Sequence, residues 1–376
     1  MSKRLRENRE PSFSSALGPR PSALSLALAP RPSALRSLQL LVRTGTRSAF
    51  DGYLTTAAVL QPHFARILQS VSPTQLEDFG ECPQKFLIKH VLGATDIDHP
   101  ERELQMHHRE KGTLDHRILE RFYRGGTLER EQLHAIIDQE FDRLEEEAPP
   151  FNRTWREIER RATKRNLANF VTADLAEMEA LGLEPKHYEY RFGSKYVARG
   201  GADHDEPFVI DAHGISLRVD GRIDRIDADS SGGDRLRIVD YKSGKALRHK
   251  DLGGKIDRGV RLQLALYAMA VASFFERDAE SILGSIKPLV LGGVKSEKFG
   301  FCLAEKAPRL TETLDLFARS ILNGLFPAFP GDDDDDDVNA CKYCPVVHSC
   351  RTRHDSAERY AVRRWKEPRA LLERPL

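Results

Sequence analysis

Apolar residues recur at helical spacing in the first half of this chain and at strand spacing after Pro185. In "GTLDHRILERFY" (112–123), Leu114, Ile118 and Phe122 repeat every four residues, which predicts one helix face turned to a core. A longer stripe of Trp155, Ile158, Ala162, Leu167, Phe170, Val171 and Met178 predicts a helix from about Trp155 to Leu181. Arg160, Arg161, Lys164 and Arg165 decorate that helix and read as a solvated face. "SPTQLEDFGECPQKFLIKHVLG" (72–93) starts with Ser72 as N-cap and Pro73 in the first helical position.

Beyond Pro185 the texture is that of strands: "HYEYRFG", "ISLRVDGRIDRID" and "RLRIVDYK". "DSSGGD" (229–234) separates the last two and predicts a hairpin turn. A helix follows in "GVRLQLALYAMAVASFF" (259–275), then short strands around "IKPLVLGG" and "FGFCLAE". Helices, a meander, a helix and a further strand predict an α/β or α+β fold with a mixed sheet flanked by helices.

Composition narrows the class. The chain has 376 residues, 40% hydrophobic and 31% charged, enough for a sizeable core. No run of 18 apolar residues occurs, so no membrane span is expected. With a net charge of +1, binding to nucleic acid would rely on local basic patches. Five cysteines, an odd number in a chain of this size, argue against a disulfide framework and for a reducing cytoplasm. Residues 1–48 are rich in Pro, Ser and Arg and repeat "PRPSAL" twice, which predicts a disordered tail ahead of one domain over 49–376. An Arg/Ser-rich leader has some features of an organellar transit peptide, but Glu7, Glu10 and the prolines spoil the amphipathic pattern. A dispensable tail or the remnant of an upstream region suits it better. "DDDDDD" (332–337) predicts a solvated loop, because six adjacent like charges cannot pack. No phosphate-binding G-x-x-x-x-G-K-[ST] loop is present.

The candidate chemistry centres on "RIVDYKSGKA" (237–246). Asp240 and Lys242, two apart on a strand, face the same side. Alone they are an ion pair worth under about 1 kcal/mol. Asp224 lies at the end of the preceding predicted strand, and an antiparallel hairpin brings it beside Asp240. Two adjacent carboxylates are costly unless a cation lies between them, and oxygen ligands favour Mg²⁺ or Mn²⁺. A lysine beside that cation could orient or deprotonate a water, or stabilise developing charge.

In order along the chain, "SPTQLEDFGECPQKFLIKHVLG", "KGTLDHRILERFY", "GRIDRID", "VDYKSGK" and "QLALY" resemble the RecB/AddB-type branch of the PD-(D/E)XK nuclease superfamily. The resemblance spans roughly residues 72–352 and implies a restriction-endonuclease-like core. It further implies that His116, Asp224 and Asp240 ligate Mg²⁺ or Mn²⁺ together with the Tyr241 carbonyl, and that Lys242 is the catalytic lysine. Gln263 and Tyr267, four apart on a helix face, would support the site or position DNA. Glu189, in "EYRFG", matches the acidic position before these motifs. Asp227 competes with Asp224, but strand period puts the two on opposite faces, and the family pattern favours Asp224. His116 by itself would read as an ordinary helical histidine.

"CKYCPVVHSC" (341–350) supplies Cys341, Cys344 and Cys350, and Cys82 is available as a fourth thiolate. Zinc is the simplest occupant of four cysteines. One cysteine before the nuclease core and three after it resemble instead the iron–sulfur staple of AddB-type and CRISPR-associated relatives, which implies a [4Fe–4S] cluster. His348 is an alternative ligand, and Cys302 reads as an ordinary buried cysteine on a strand. The expected function is metal-dependent hydrolysis of DNA phosphodiesters in repair and recombination, by an exonuclease acting on single strands or duplex ends, with a helicase subunit as partner. Arg222, Arg225 and the helix face near Arg161 are candidate DNA contacts. The alternatives are a non-catalytic iron–sulfur DNA-end-binding module or helicase-associated subunit, and a CRISPR-adaptation-type exonuclease.

Overall fold

Leu236–Lys242 (β5) forms an interior strand because its Leu, Ile and Val suit a pleated surface packed on both faces. A computed structural model describes residues 52–54, 58–94, 106, 108–147, 149–150, 152–212, 214–242, 252–289, 300–329, 341 and 344–346. The 1–48 tail, the aspartate run at 332–337, His348 and Cys350 lie outside the described residues.

Helices precede the sheet: α1 (Gln61–Leu68), α2 (Pro73–Glu81), α3 (Pro83–Phe86), α4 (His108–Arg124), α5 (Arg130–Glu147) and α6 (Arg153–Leu181). Strand β1 (Leu183–Phe192) is followed by the short α7 (Ser194–Val197) and a separate hairpin, β2 (Phe208–Ala212) with β3 (Ile215–Val219). Then come β4 (Gly221–Asp229), β5, α8 (Leu252–Asp257), α9 (Gln263–Phe274), β6 (Ile282–Pro288), β7 (Gly300–Cys302) and α10 (Leu303–Leu322). The five-stranded sheet runs β1-β4-β5-β6-β7. Only β5 and β6 pair in parallel, which makes the sheet mixed, as the alternation of elements predicts. A parallel pair needs a crossover, and α8 and α9 provide it.

Each face of the sheet carries its own core. On one, Leu76 and Phe79 of α2, Leu264 and Tyr267 of α9 and Phe317 of α10 share a core with Ile238. On the other, Ile118 and Phe122 of α4, Phe141 of α5 and Val171 of α6 share a core with Val239 and Tyr241. The alternation of Ile238 and Val239 between the two cores is the period-2 signature of a strand buried on both sides.

The fold revises several of the sequence expectations. The 72–93 segment starts as expected, with a capping box in which Ser72 Oγ accepts from Gln75 N at 3.3 Å and Gln75 Oε1 accepts from Ser72 N at 2.7 Å. That first helix ends at Glu81, because Cys82 adopts an extended conformation (φ −164°) ahead of Pro83, and α3 starts beyond it. Trp155 and Ile158, assigned to the apolar stripe, are 46% and 50% exposed near the start of α6. Arg225 is completely buried rather than a DNA contact. Its guanidinium bonds Asp174 of α6 at 2.6 Å and Asp227 at 2.7 Å, and its Nη1 donates to the Tyr241 hydroxyl at 2.9 Å. Burial alone would raise the Asp174 carboxyl, but Arg225 holds it well below the usual carboxylate range. Among the described residues, no helix is long and apolar enough to cross a membrane.

Arg225→Ala takes a cation from two buried carboxylates and is expected to destabilise the fold by about 3–5 kcal/mol. A urea titration followed by circular dichroism measures this as a lower midpoint.

Candidate active site

The antiparallel register pairs Arg225 of β4 with Val239 of β5, so the next step along brings Asp224 level with Asp240. Asp224 therefore stands inside β4 rather than at its end, and both aspartates are buried. Asp224 Oδ2 accepts the backbone N–H of Tyr241 at 2.8 Å. Lys242, the last residue of β5, places its Nζ 2.7 Å from Asp240 Oδ2 and 3.3 Å from Gln263 Oε1. Gln263 is the first residue of α9. The opposite charges of Asp240 and Lys242 thus meet on one face, as their spacing predicts.

His116 projects from α4 into the same region. Its Nδ1 lies 3.3 Å from Asp224 Oδ1 and 3.9 Å from Glu189 Oε1, and its Nε2 lies 3.2 Å from the Tyr241 carbonyl oxygen. Glu189 sits in β1 between Tyr188, paired with Arg225, and Tyr190, paired with Ile223, which sets it level with Asp224. Its φ of +50° is in the left-handed region, a strain of about 1–3 kcal/mol for a residue with a Cβ. His116, Glu189 and Asp224 offer ligand atoms within 4.8 Å of one another, the one such group among the described residues. Asp240 stands beside this group with its carboxylate turned to Lys242.

The charges are strongly polarised. Burial would lower the His116 pKa, but Asp224, Glu189 and Asp240 outweigh it and push the imidazole up to about 9. Asp224 is held below the usual range because His116 and the Tyr241 N–H override its burial. Asp240 moves the other way: burial and the Asp224 charge raise it more than Lys242 lowers it. Lys242 is raised, because Asp240 overcomes the burial of the ammonium.

Tyr267, one turn beyond Gln263, does not reach the carboxylates. Its hydroxyl accepts the Arg222 N–H at 3.3 Å and so fixes the start of β4. Gly221 permits this approach, since a Cβ there would lie 2.5 Å from both the Tyr267 and Phe192 rings. Arg222 is 44% exposed at the rim, with Nε 2.9 Å from Glu189 Oε2. Arg161 is exposed on α6 and pairs with Glu157 at 2.8 Å.

Glu77 of α2 carries no sequence expectation, yet it lies partly buried against the start of α9 and accepts from Leu262 N at 2.8 Å and Gln263 N at 2.9 Å. Its only sequence signal is an acidic residue in "QLEDF", next to the apolar Leu76.

The described cysteines do not join a ligand group of three. Cys82 is buried at the break between α2 and α3, and its Sγ accepts the Phe329 N–H at 3.2 Å. The Cys344 N–H donates to the Cys341 carbonyl oxygen at 3.3 Å. Cys302 ends β7 and is only partly buried, not fully as expected, with Sγ 3.7 Å from the carbonyl oxygens of Ala279 and Glu280.

Residues 70–351 match the family model described as PD-(D/E)XK nuclease superfamily. The chain is similar to bacterial proteins named as one of the subunits of an ATP-dependent helicase/deoxyribonuclease. In Ruminiclostridium cellulolyticum the identity is 30% over 246 residues, covering 60% of this chain and 20% of that protein. In Acetivibrio thermocellus it is 29% over 259 residues, 64% and 20% respectively. In Geobacillus thermodenitrificans it is 28% over 269 residues, 67% and 21%. The chain thus spans about a fifth of the length of the curated relatives it matches.

In the metal-free protein the His116 ring resonances should titrate near pH 9 rather than near the free value of about 6.5. The folded pKa lies above the unfolded one, so this contribution to stability is complete below about 6.5 and is lost as the pH rises through about 9. Replacing Asp224 by Asn should bring the titration down, measured by NMR on selectively labelled histidine.

Proposed function

The chain belongs to the PD-(D/E)XK nuclease superfamily, and from that membership we propose that it is a divalent-metal-dependent deoxyribonuclease, an exonuclease acting on single strands or duplex ends in repair and recombination. The observation that carries this reading is the meeting of Asp224, Asp240, Lys242, His116 and Glu189 at the end of β5. The donor set fits a hard cation such as Mg²⁺ or Mn²⁺: carboxylates of Asp224, Asp240 and Glu189, the His116 imidazole and the Tyr241 carbonyl. When bound, such a cation supplies Lewis acidity toward a phosphoryl oxygen and acidifies a water for attack at neutral pH.

The protein's own groups have distinct tasks. His116 must surrender a proton from one ring nitrogen to act as a ligand, so cation binding is coupled to proton release. Lys242, kept charged by Asp240, donates hydrogen bonds and offsets negative charge on the phosphate rather than acting as a base. Gln263 orients the ammonium, and Tyr267 holds the start of β4, the strand that bears Asp224. Arg222 at the rim contacts the DNA backbone, and affinity through such contacts falls with salt.

The cysteines fit a second, structural centre. Cys82, Cys341, Cys344 and Cys350 would hold a [4Fe–4S] cluster, with zinc as the competing occupant. The support is Cys82 Sγ, which already accepts an N–H from Phe329, on the stretch of chain that leads to Cys341. Hydrogen bonds to sulfur of this kind tune such clusters. A helicase partner is part of the same reading, because the relatives are named as subunits of a helicase/deoxyribonuclease and this chain matches a fifth of them.

End-labelled single- and double-stranded DNA incubated with Mg²⁺ or Mn²⁺ tests the catalytic reading. Wild-type protein should shorten the label, and Lys242→Ala should lower cleavage by at least about 100-fold with DNA binding retained. Cleavage by Lys242→Ala at the wild-type rate would overturn the mechanism. Protein purified without air should be brown with absorption near about 400 nm, as expected for thiolate-bound iron; a colourless preparation with stoichiometric zinc refutes the cluster.

A further inference from the structure

Helix α9 starts without a cap of its own, because its N-cap residue is the apolar Leu262. The first N–H groups of any helix lack partners within it and must find them elsewhere. Here two of them, on Leu262 and Gln263, donate to the same oxygen, Glu77 Oε1, at 2.8 and 2.9 Å. The acceptor belongs to α2, which precedes every strand of the sheet in the sequence. Its second oxygen faces Arg261 Nη1 at 4.0 Å, and Arg261 in turn bonds Glu81 Oε1 at 2.9 Å, one turn further along α2. Two acids of one helix therefore hold three consecutive residues at the start of another.

The backbones are shaped for this contact. A Cβ at Gly80 would lie 2.0 Å from the Gly259 carbonyl oxygen, so only glycine lets α2 lie against the turn that leads into α9. Gln263 is consequently fixed at both ends, its backbone by Glu77 and its side chain by Lys242 Nζ at 3.3 Å.

We propose that Glu77 is a positioning residue of the active site: by accepting the Leu262 and Gln263 N–H groups it sets the place of Gln263, and through Gln263 the place of the Lys242 ammonium. This rests on the nuclease reading for its catalytic consequence, though not for its geometry. Glu77 touches neither substrate nor cation and acts only through α9. An amide oxygen can accept the same two N–H groups, so glutamine preserves the function and alanine removes it.

The test compares the full-length protein with its Glu77→Ala and Glu77→Gln variants in steady-state cleavage with Mn²⁺, and by hydrogen–deuterium exchange of residues 259–267. Glu77→Ala should lower kcat about 10- to 100-fold with KM little changed, as a displaced catalytic group does. Exchange at Leu262 and Gln263 should quicken while α10 keeps its rates. Glu77→Gln should keep kcat within about fivefold of wild type, well short of a lost positioning contact. A purely structural glutamate predicts instead a lower melting temperature with unchanged kcat per folded molecule, and that result overturns the proposal. So does unchanged exchange in Glu77→Ala, or a correctly folded Glu77→Gln as defective as Glu77→Ala. If Glu77→Ala does not fold, the kcat of Glu77→Gln decides by the same fivefold limit. A wild-type protein that cleaves no DNA sinks the nuclease reading alone, and the exchange rates still decide the role of Glu77.

Discussion

A single buried guanidinium holds the two central strands in the register that everything at the site requires. Arg225 is wholly enclosed between Asp174, Asp227 and the Tyr241 hydroxyl, with its charge 4.8 Å from the Tyr123 ring centre. Arg237 on β5 closes the set by pairing with Asp227 at 2.8 Å. These groups occupy one face of β4 and β5. A slip of one residue between strands sends every side chain to the opposite face, and here it would strand a cation and two carboxylates without partners. An unpaired buried charge is far costlier than a lost apolar contact. The opposite face inherits its alignment, and that face carries Asp224, Asp240 and Lys242.

Alignment alone would bring two carboxylates together at a loss. The structure separates them by their partners. Asp224 receives the Tyr241 N–H and the charge of His116, which together keep it ionised. Asp240 has Lys242, but burial and its neighbour's charge still raise it. Two chemically identical side chains on neighbouring strands thus differ in proton affinity, a pattern that suits division of labour in a reacting site. The strained φ of Glu189 belongs to the same arrangement, since it lies level with Asp224 and aims a third carboxylate at His116.

Period and turn chemistry made much of this legible from sequence. The hairpin at 229–234, the shared face of Asp240 and Lys242, the opposed faces of Asp224 and Asp227, and the helix bearing Gln263 follow from local rules. Features set by tertiary contact did not. Arg225 alternates with acids in "GRIDRID" like a surface residue, and only the packing of α6 over it makes it a core ion. α5, α10 and β2 escaped notice because their charged positions dilute the apolar pattern, and β3 reads as one strand with β4 in "ISLRVDGRIDRID". Glu77 was invisible because its partners are backbone groups 185 and 186 residues away, which no side-chain motif records.

The topology explains why such a distant acceptor stands there. β5 and β6 are parallel, so the chain must leave the end of β5 and return to its start, and α9 makes that journey. Its N-terminus consequently lies at the end of β5 that carries Lys242. A helix N-terminus carries partial positive charge and unpaired N–H groups, an unfavourable neighbour for an ammonium. Glu77 Oε1 takes two of those N–H groups, so the helix end that meets the lysine is not left with those donors unpaired. The crossover that makes the sheet mixed therefore creates both the opportunity for Gln263 to reach Lys242 and the need for an acceptor on α2 to take up the N–H groups at the start of α9.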